Sequence, residues 1–233
     1  MRLTLAAVLS ILTLSAQQPR FRSKIAVFDL ASRSTKIVYQ ADQVIEAPNW
    51  SRDGKFLLVN TGGSLYRLPL DTPTPQLEKI NLGDVAYRCN NDHDLSRDGK
   101  RLAFSASSPT SRQSQVYVAQ ADGSGVKLLT PAAPSYFHGW SPDGQWLAFV
   151  GQRNGKFHLY RVPVGGGLEE ALTNQGDYDD GPDYSPDGKW IYFNSSRSGA
   201  WDIYRIPAVG GKAELIPTDD MEDWFPHPSP NGK

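Results

Sequence analysis

The chain has 233 residues, 39% hydrophobic and 21% charged, and its 24 Lys and Arg against 25 Asp and Glu leave a formal charge of −1. Such a length and balance fit one globular body. They argue against nucleic acid or an anionic lipid surface as partner, because a nearly neutral chain with no Lys/Arg cluster on any strand creates no attracting field.

At the N-terminus, Met1-Arg2 precedes an apolar run from Leu3 to Leu14 that ends in Ser15-Ala16-Gln17-Gln18-Pro19. The pattern is that of a secretory signal peptide over residues 1–20, since the run falls short of the roughly 20 apolar residues that span a bilayer. No Cys stands near Ala16 for a lipid anchor, and Cys89, the single cysteine, has no partner for an internal disulfide. The mature chain is therefore expected in the periplasm or outside the cell, with no transmembrane segment.

From residue 21 to residue 233 the apolar pattern is one of short strands. Ile25-Ala-Val-Phe-Asp-Leu30 and Lys36-Ile-Val-Tyr39 come first. Five copies of one turn follow: Ser51-Arg-Asp-Gly54, Ser96-Arg-Asp-Gly99, Ser141-Pro-Asp-Gly144, Ser185-Pro-Asp-Gly188 and Ser229-Pro-Asn-Gly232, spaced by 45, 45, 44 and 44 residues. Ser, then Pro or Arg, then Asp or Asn, then Gly suits a type I turn whose last residue needs positive φ, which gives Asp53, Gly54, Asp98, Gly99, Asp143, Gly144, Asp187 and Gly188 structural roles. An apolar strand follows each of the first four turns, as in Phe56-Leu-Leu-Val59 and Trp146-Leu-Ala-Phe149. A strand with a central Tyr comes next, as in Leu159-Tyr-Arg-Val162, then a Gly-rich or Pro-rich corner and a short fourth strand such as Glu170-Ala-Leu-Thr173.

A period near 44 built from such strands predicts an all-β chain, a β-propeller of four-stranded antiparallel blades. The expected divisions are a half blade at 23–46, full blades at about 47–83, 92–130, 136–173 and 180–217, and the start of another at 225–233. The half blade has no first or second strand before it, and no strand follows the fifth turn. In a closed ring the C-terminus supplies such missing strands, so the expectation is a ring incomplete at its C-terminus, belonging to a longer chain or covered by a partner.

The units Gly139-Trp-Ser-Pro-Asp-Gly-Gln-Trp-Leu-Ala-Phe149, Leu159-Tyr-Arg-Val162 and Ala171-Leu-Thr173 resemble the repeats of TolB-like propellers, also called PD40 or WD40-like repeats. The resemblance runs from about Ser23 to Lys233 and implies a six-bladed plan. TolB itself carries an N-terminal α/β domain and binds the peptidoglycan-associated lipoprotein; this sequence has no room for that domain between Gln17 and Ile25. It resembles the stand-alone propellers.

Residues just before each turn serine converge at the channel of a propeller. Three before it stand Pro48, His93, His138, Pro182 and Pro226, and two before it Asn49, Asp94, Gly139, Asp183 and His227. Loops further upstream add Asn90, Asn91, Asp92, Asp179, Asp180, Glu222 and Asp223. His93, Asp94, His138, Asp179, Asp180, Asp183, Asp223 and His227 are thus candidates for a polar ligand or a divalent cation in the central channel. The competing reading gives the same carboxylates to backbone N–H groups in turns. Trp201 and Trp224 fall out of phase with the repeated aromatics and on loops, which makes them candidates for partner contact. No Gly-x-Ser-x-Gly elbow or base beside Cys89 supports nucleophilic catalysis. The expected function is an exported, non-catalytic scaffold that binds an envelope protein or a saccharide through the channel-mouth face. The alternative is a metal-dependent enzyme resembling oligogalacturonate lyase, its metal held by His93, His138 and His227.

Overall fold

The computed structural model describes residues 22–217, 219 and 221–232, so the expected signal peptide at 1–20 lies outside the described residues. The first strands, β1 (Ser23–Asp29) and β2 (Ser34–Ala41), form a two-stranded antiparallel sheet. Four antiparallel sheets of four strands follow, each built in chain order. They are β3 (Glu46–Trp50), β4 (Phe56–Thr61), β5 (Ser64–Pro69) and β6 (Glu78–Lys79); β7 (Arg88–Leu95), β8 (Arg101–Ser107), β9 (Gln115–Gln120) and β10 (Lys127–Leu128); β11 (Ser135–Trp140), β12 (Trp146–Arg153), β13 (Lys156–Pro163) and β14 (Glu170–Ala171); and β15 (Asp179–Tyr184), β16 (Trp190–Ser195), β17 (Asp202–Pro207) and β18 (Glu214–Leu215). This is the arrangement of propeller blades, with β3, β7, β11 and β15 innermost and in contact from one blade to the next.

The repeated turn carries its own hydrogen bonds. Ser141 Oγ donates to Asp143 Oδ1 at 2.5 Å and accepts from the Trp146 backbone N–H at 2.9 Å, while Asp143 Oδ1 accepts from Gln145 N–H at 2.9 Å. Ser51/Asp53, Ser96/Asp98 and Ser185/Asp187 repeat the arrangement. The serine hydroxyl and the following N–H hold each of these carboxyls below the usual range. At Ser229 the turn closes as well, with Gly232 N–H donating to Ser229 O at 2.8 Å.

The second strands β4, β8 and β12 pack against neighbouring sheets on both faces, which is why they read as unbroken apolar runs, while β16 is covered on one face among the described residues. Leu58 and Leu65 meet Leu102 and Phe104; Ala103 and Val116 meet Phe137 and Phe149; Ala148 and Leu159 meet Ile191 and Phe193. Ile25 of β1 packs on Leu57, Val59 and Leu68. Each fully buried side chain of this kind contributes about 1.5–3 kcal/mol. Arginines of the third strand tie blades together at the rim. Arg161 lies 4.1 Å from the Trp146 ring centroid and donates to Ala208 O of the next blade at 2.8 Å, and Arg67 does the same over Phe56 to Ala121 O at 2.6 Å.

Candidate ligand site in the channel

Every innermost strand is bulged near its middle, between Glu46 and Asn49, Cys89 and His93, Phe137 and Gly139, and Asp180 and Asp183. A bulge re-aims the side chains beside it, and here it turns polar groups toward the channel. Two cavities result, sharing Asn91, Asp92 and His138. The one at the loop end has a volume of about 680 Å3 and is lined by Glu46, Arg88, Asp92, Tyr136, His138, Tyr178, Asp180 and Phe225. The one at the turn end, about 460 Å3, is lined by Asn49, Arg52, His93, Asp94, Arg97, Asp183 and His227 among others.

His138 is the centre of the loop-end cavity. Its Nε2 lies 3.2 Å from Asp180 Oδ1, and its ring stacks on Phe225 at 6.1 Å between centroids. Burial opposes a charged imidazole, but the Asp180 hydrogen bond and the charges of Asp92, Asp180 and Asp183 outweigh it and raise the His138 pKa. Burial also raises the Asp92 carboxyl, against the pull of His138 and of Asn90, whose Nδ2 donates to Asp92 Oδ2 at 2.7 Å. The cavity floor thus holds an imidazole paired with the Asp180 carboxylate and within the electrostatic influence of Asp92.

At the turn end the pairs are Arg52 Nη2 with Asp94 Oδ2 and His227 Nδ1 with Asp183 Oδ2, both at 3.1 Å. Burial pushes the Asp94 carboxyl up to about 6, with Arg52 and the Leu95 N–H opposing. The Asp183 hydrogen bond raises His227.

The candidates therefore separate. His138 and Asp180 meet at the loop end, while His93, Asp94, Asp183 and His227 line the turn end. Asp179 is not a channel group. It is fully buried, accepting from Arg197 Nη2 at 2.7 Å and Ser195 Oγ at 2.6 Å, with His158 Nδ1 at 3.3 Å. Neighbouring strand residues face opposite ways, so Asp180 enters the channel and Asp179 the core. Asp223 lines neither cavity; its N–H donates to Trp201 O at 2.8 Å. Trp201 and Trp224 do meet, with centroids 4.1 Å apart. They continue an aromatic series from Phe157 through Tyr178 to Phe225. Among the described residues no three His, Cys, Asp or Glu side chains converge to hold a metal ion, so of the two candidate ligands the divalent cation finds no such donor group there. His93, His138 and His227 make separate contacts rather than one ligand set.

Phe225 and Tyr178 escaped the sequence reading because aromatics in a repeat pass for blade packing. The signal for Phe225 was its place four before Ser229, the place Asp92 holds before Ser96. Arg52 and Arg97 stand where the later turns have Pro142, Pro186 and Pro230, a departure visible in the sequence.

The family model for the TolB beta propeller domain, PD40, matches residues 96–233. The chain belongs to the TolB β-propeller family. An uncharacterised protein of Agrobacterium fabrum is 45% identical over 163 residues, 70% of this chain and 55% of that protein. A provisionally assigned TolB structure from Agrobacterium tumefaciens superposes with a TM-score of 0.84 at 44% identity, covering 91% of this chain and 75% of that one. The Tol-Pal system protein TolB of Francisella tularensis is 29% identical over 131 residues, 55% of this chain and 29% of its own length. This TolB-type propeller thus spans about half, or less, of the curated relatives it matches. An oligogalacturonate lyase bound to manganese shares the fold alone, at a TM-score of 0.59 and 18% identity.

Proposed function

We propose that this TolB-type propeller is an exported, non-catalytic binding module of the cell envelope that holds a polypeptide partner at the loop end of its channel. The observation that carries the reading is an exposed aromatic ledge beside a polar floor. Phe225, 48% exposed, lines the cavity over Asp92, His138 and Asp180, and Trp224, 44% exposed, stands next to it. Rigid aromatic anchors beside a small set of polar groups are what protein interfaces concentrate their affinity in. Relatives that belong to the Tol-Pal system support an envelope setting. A saccharide ligand draws support only from the same rings, and the lyase alternative only from likeness of fold.

Two measurements test the proposal. The full chain, expressed with a C-terminal tag, should be released by osmotic shock. The purified chain should then bind an envelope protein, with peptidoglycan-associated lipoprotein the first to titrate, and the Trp224→Ala/Phe225→Ala variant should lose at least about tenfold in affinity. Equal retention of every envelope partner by the variant and the parent overturns the assignment of the face.

A further inference from the structure

Phe225, whose ring forms the ledge, has a φ of +49°, in the left-handed region that bulky side chains rarely enter. Such a conformation persists only where the surroundings hold it. The repeat supplies a comparison, because Phe137 stands four before its turn serine just as Phe225 does. In both, the backbone N–H donates to a side chain on the second strand of the blade before: Phe137 to Ser105 Oγ of β8 at 2.6 Å, and Phe225 to Asn194 Oδ1 of β16 at 3.2 Å. Phe137 has no positive φ and is buried in the core, whereas the Phe225 ring is stacked over His138 at the channel. The same residue type in the same place is thus turned inward by one conformation and out onto the ledge by the other. Asn194 has little other reason to be polar. It is fully buried, and its Nδ2 has no partner among the described residues. The equivalent place on β12 is Val150, and there the left-handed position of the next blade is Gly181, which takes its φ of +60° without strain. On β4 the place is Asn60, but that amide donates to Cys89 O at 3.3 Å, and Asp92 has no positive φ.

We infer that Asn194 is a positioning residue of the loop-end binding face: by accepting the Phe225 N–H it holds that residue left-handed and keeps its ring on the ledge. The inference rests on the proposed role of that face in holding a polypeptide. A ring already fixed in its bound place loses little freedom on association, so the hydrogen bond adds to affinity without touching the partner. Gly181 completes the seat, since the ring occupies the space that a Cβ there would take, 2.6 Å from Phe225 Cδ1.

The test uses the full chain. The His138 ring-proton signal, identified by its loss in His138→Gln, carries the ring-current shift of Phe225, and Phe225→Ala gives its value without that ring. In Asn194→Val, which copies Val150, the signal should move most of the way to the Phe225→Ala value, and affinity for peptidoglycan-associated lipoprotein should fall about tenfold. Asn194→Asp, whose oxygen has the same reach, should keep the signal at its parent position. A second measurement needs no variant to stay folded in Asn194's place: the 15N-labelled Phe225 amide of the parent, identified by its loss in Phe225→Leu, should exchange with solvent at least about tenfold more slowly than the exposed Glu222 amide once intrinsic rates are allowed for. A His138 signal unmoved in Asn194→Val, or a Phe225 amide that exchanges as fast as that of Glu222, overturns the inference. If Phe225→Ala weakens binding and Asn194→Val does not, the positioning role falls and the face stands. If Phe225→Ala leaves binding intact, the role of the face falls, and Asn194 holds Phe225 for stability alone.

Discussion

Asp179 and Asp180 are adjacent carboxylates with opposite duties, and substituting them separately tests that division. Asp179 is fully buried and is the carboxylate partner of Arg197, whose side chain is only 16% exposed and lies 4.9 Å from the Tyr204 ring centroid. Asp179→Ala leaves the guanidinium buried with Ser195 Oγ as its remaining acceptor, at 2.9 Å from Nε. Breaking a buried pair from one side costs about 3–5 kcal/mol, a large part of the 5–15 kcal/mol or so that holds a domain folded. Asp180→Asn, 18% exposed and paired with His138, should cost about 1 kcal/mol or less. Equilibrium urea unfolding measures both, provided the slope against denaturant is unchanged. The pair Asp179→Leu/Arg197→Met should recover most of the loss, because it removes both charges together. An Asp179→Ala variant that keeps its stability to within about 1 kcal/mol but loses partner binding would refute the reasoning and return Asp179 to the ligand site.

Two further outcomes follow from the channel geometry. Asp94 is raised from 3.8 to about 6, so the folded state holds its proton more tightly than the unfolded chain does, and the group withdraws stability as pH rises through that window. Asp94→Asn abolishes the loss; its stability relative to the parent should climb by about 1–2 kcal/mol between those pH values, less than the full shift implies because Arg52 and solvent screen the charge. A flat difference across pH would mean that the Arg52 pair offsets the burial. At Gly181, φ is +60° and an added Cβ would sit 2.6 Å from Phe225 Cδ1 and 2.9 Å from Asn194 Oδ1. Gly181→Ala should therefore cost about 1–3 kcal/mol and shift the tryptophan emission as Phe225 moves against Trp224; emission and stability equal to the parent's would show that the ledge yields without cost.

The turns and second strands were legible because their causes are local. Ser141, Asp143 and Gly144 satisfy one another within four residues, and Leu147-Ala-Phe149 needs only apolar neighbours on both faces. The channel was less legible because its causes lie in the next blade. Counting back from the turn serine put His93 and His138 in equivalent places, yet His93 is held under Asn49 while His138 meets Asp180. The count also assumed a regular strand. A bulge between Asp180 and Asp183 breaks it, and taking Asp179 and Asp180 together as loop residues overlooks that β15 already runs through both, so that alternation sends one to the channel and the other to the core.

The same dependence on the neighbour bears on why one turn arginine, Arg52, has a carboxylate partner and the next, Arg97, does not. Blade contacts at the turn end require close approach: a Cβ on Gly139 would lie 3.0 Å from Pro182 O and 3.4 Å from Asp183 Oδ1, so a side chain in the place of Asp94 fits the next repeat only if Pro182 gives way by a few tenths of an ångström. The close-packed Gly139 of the third blade thus offers no carboxylate to the turn arginine of the second. Restoring an acid there by Gly139→Asp would have to push Pro182 away. Arg97 is left without a carboxylate partner at the exposed rim of the turn-end cavity, where the repeat departs from its own rule.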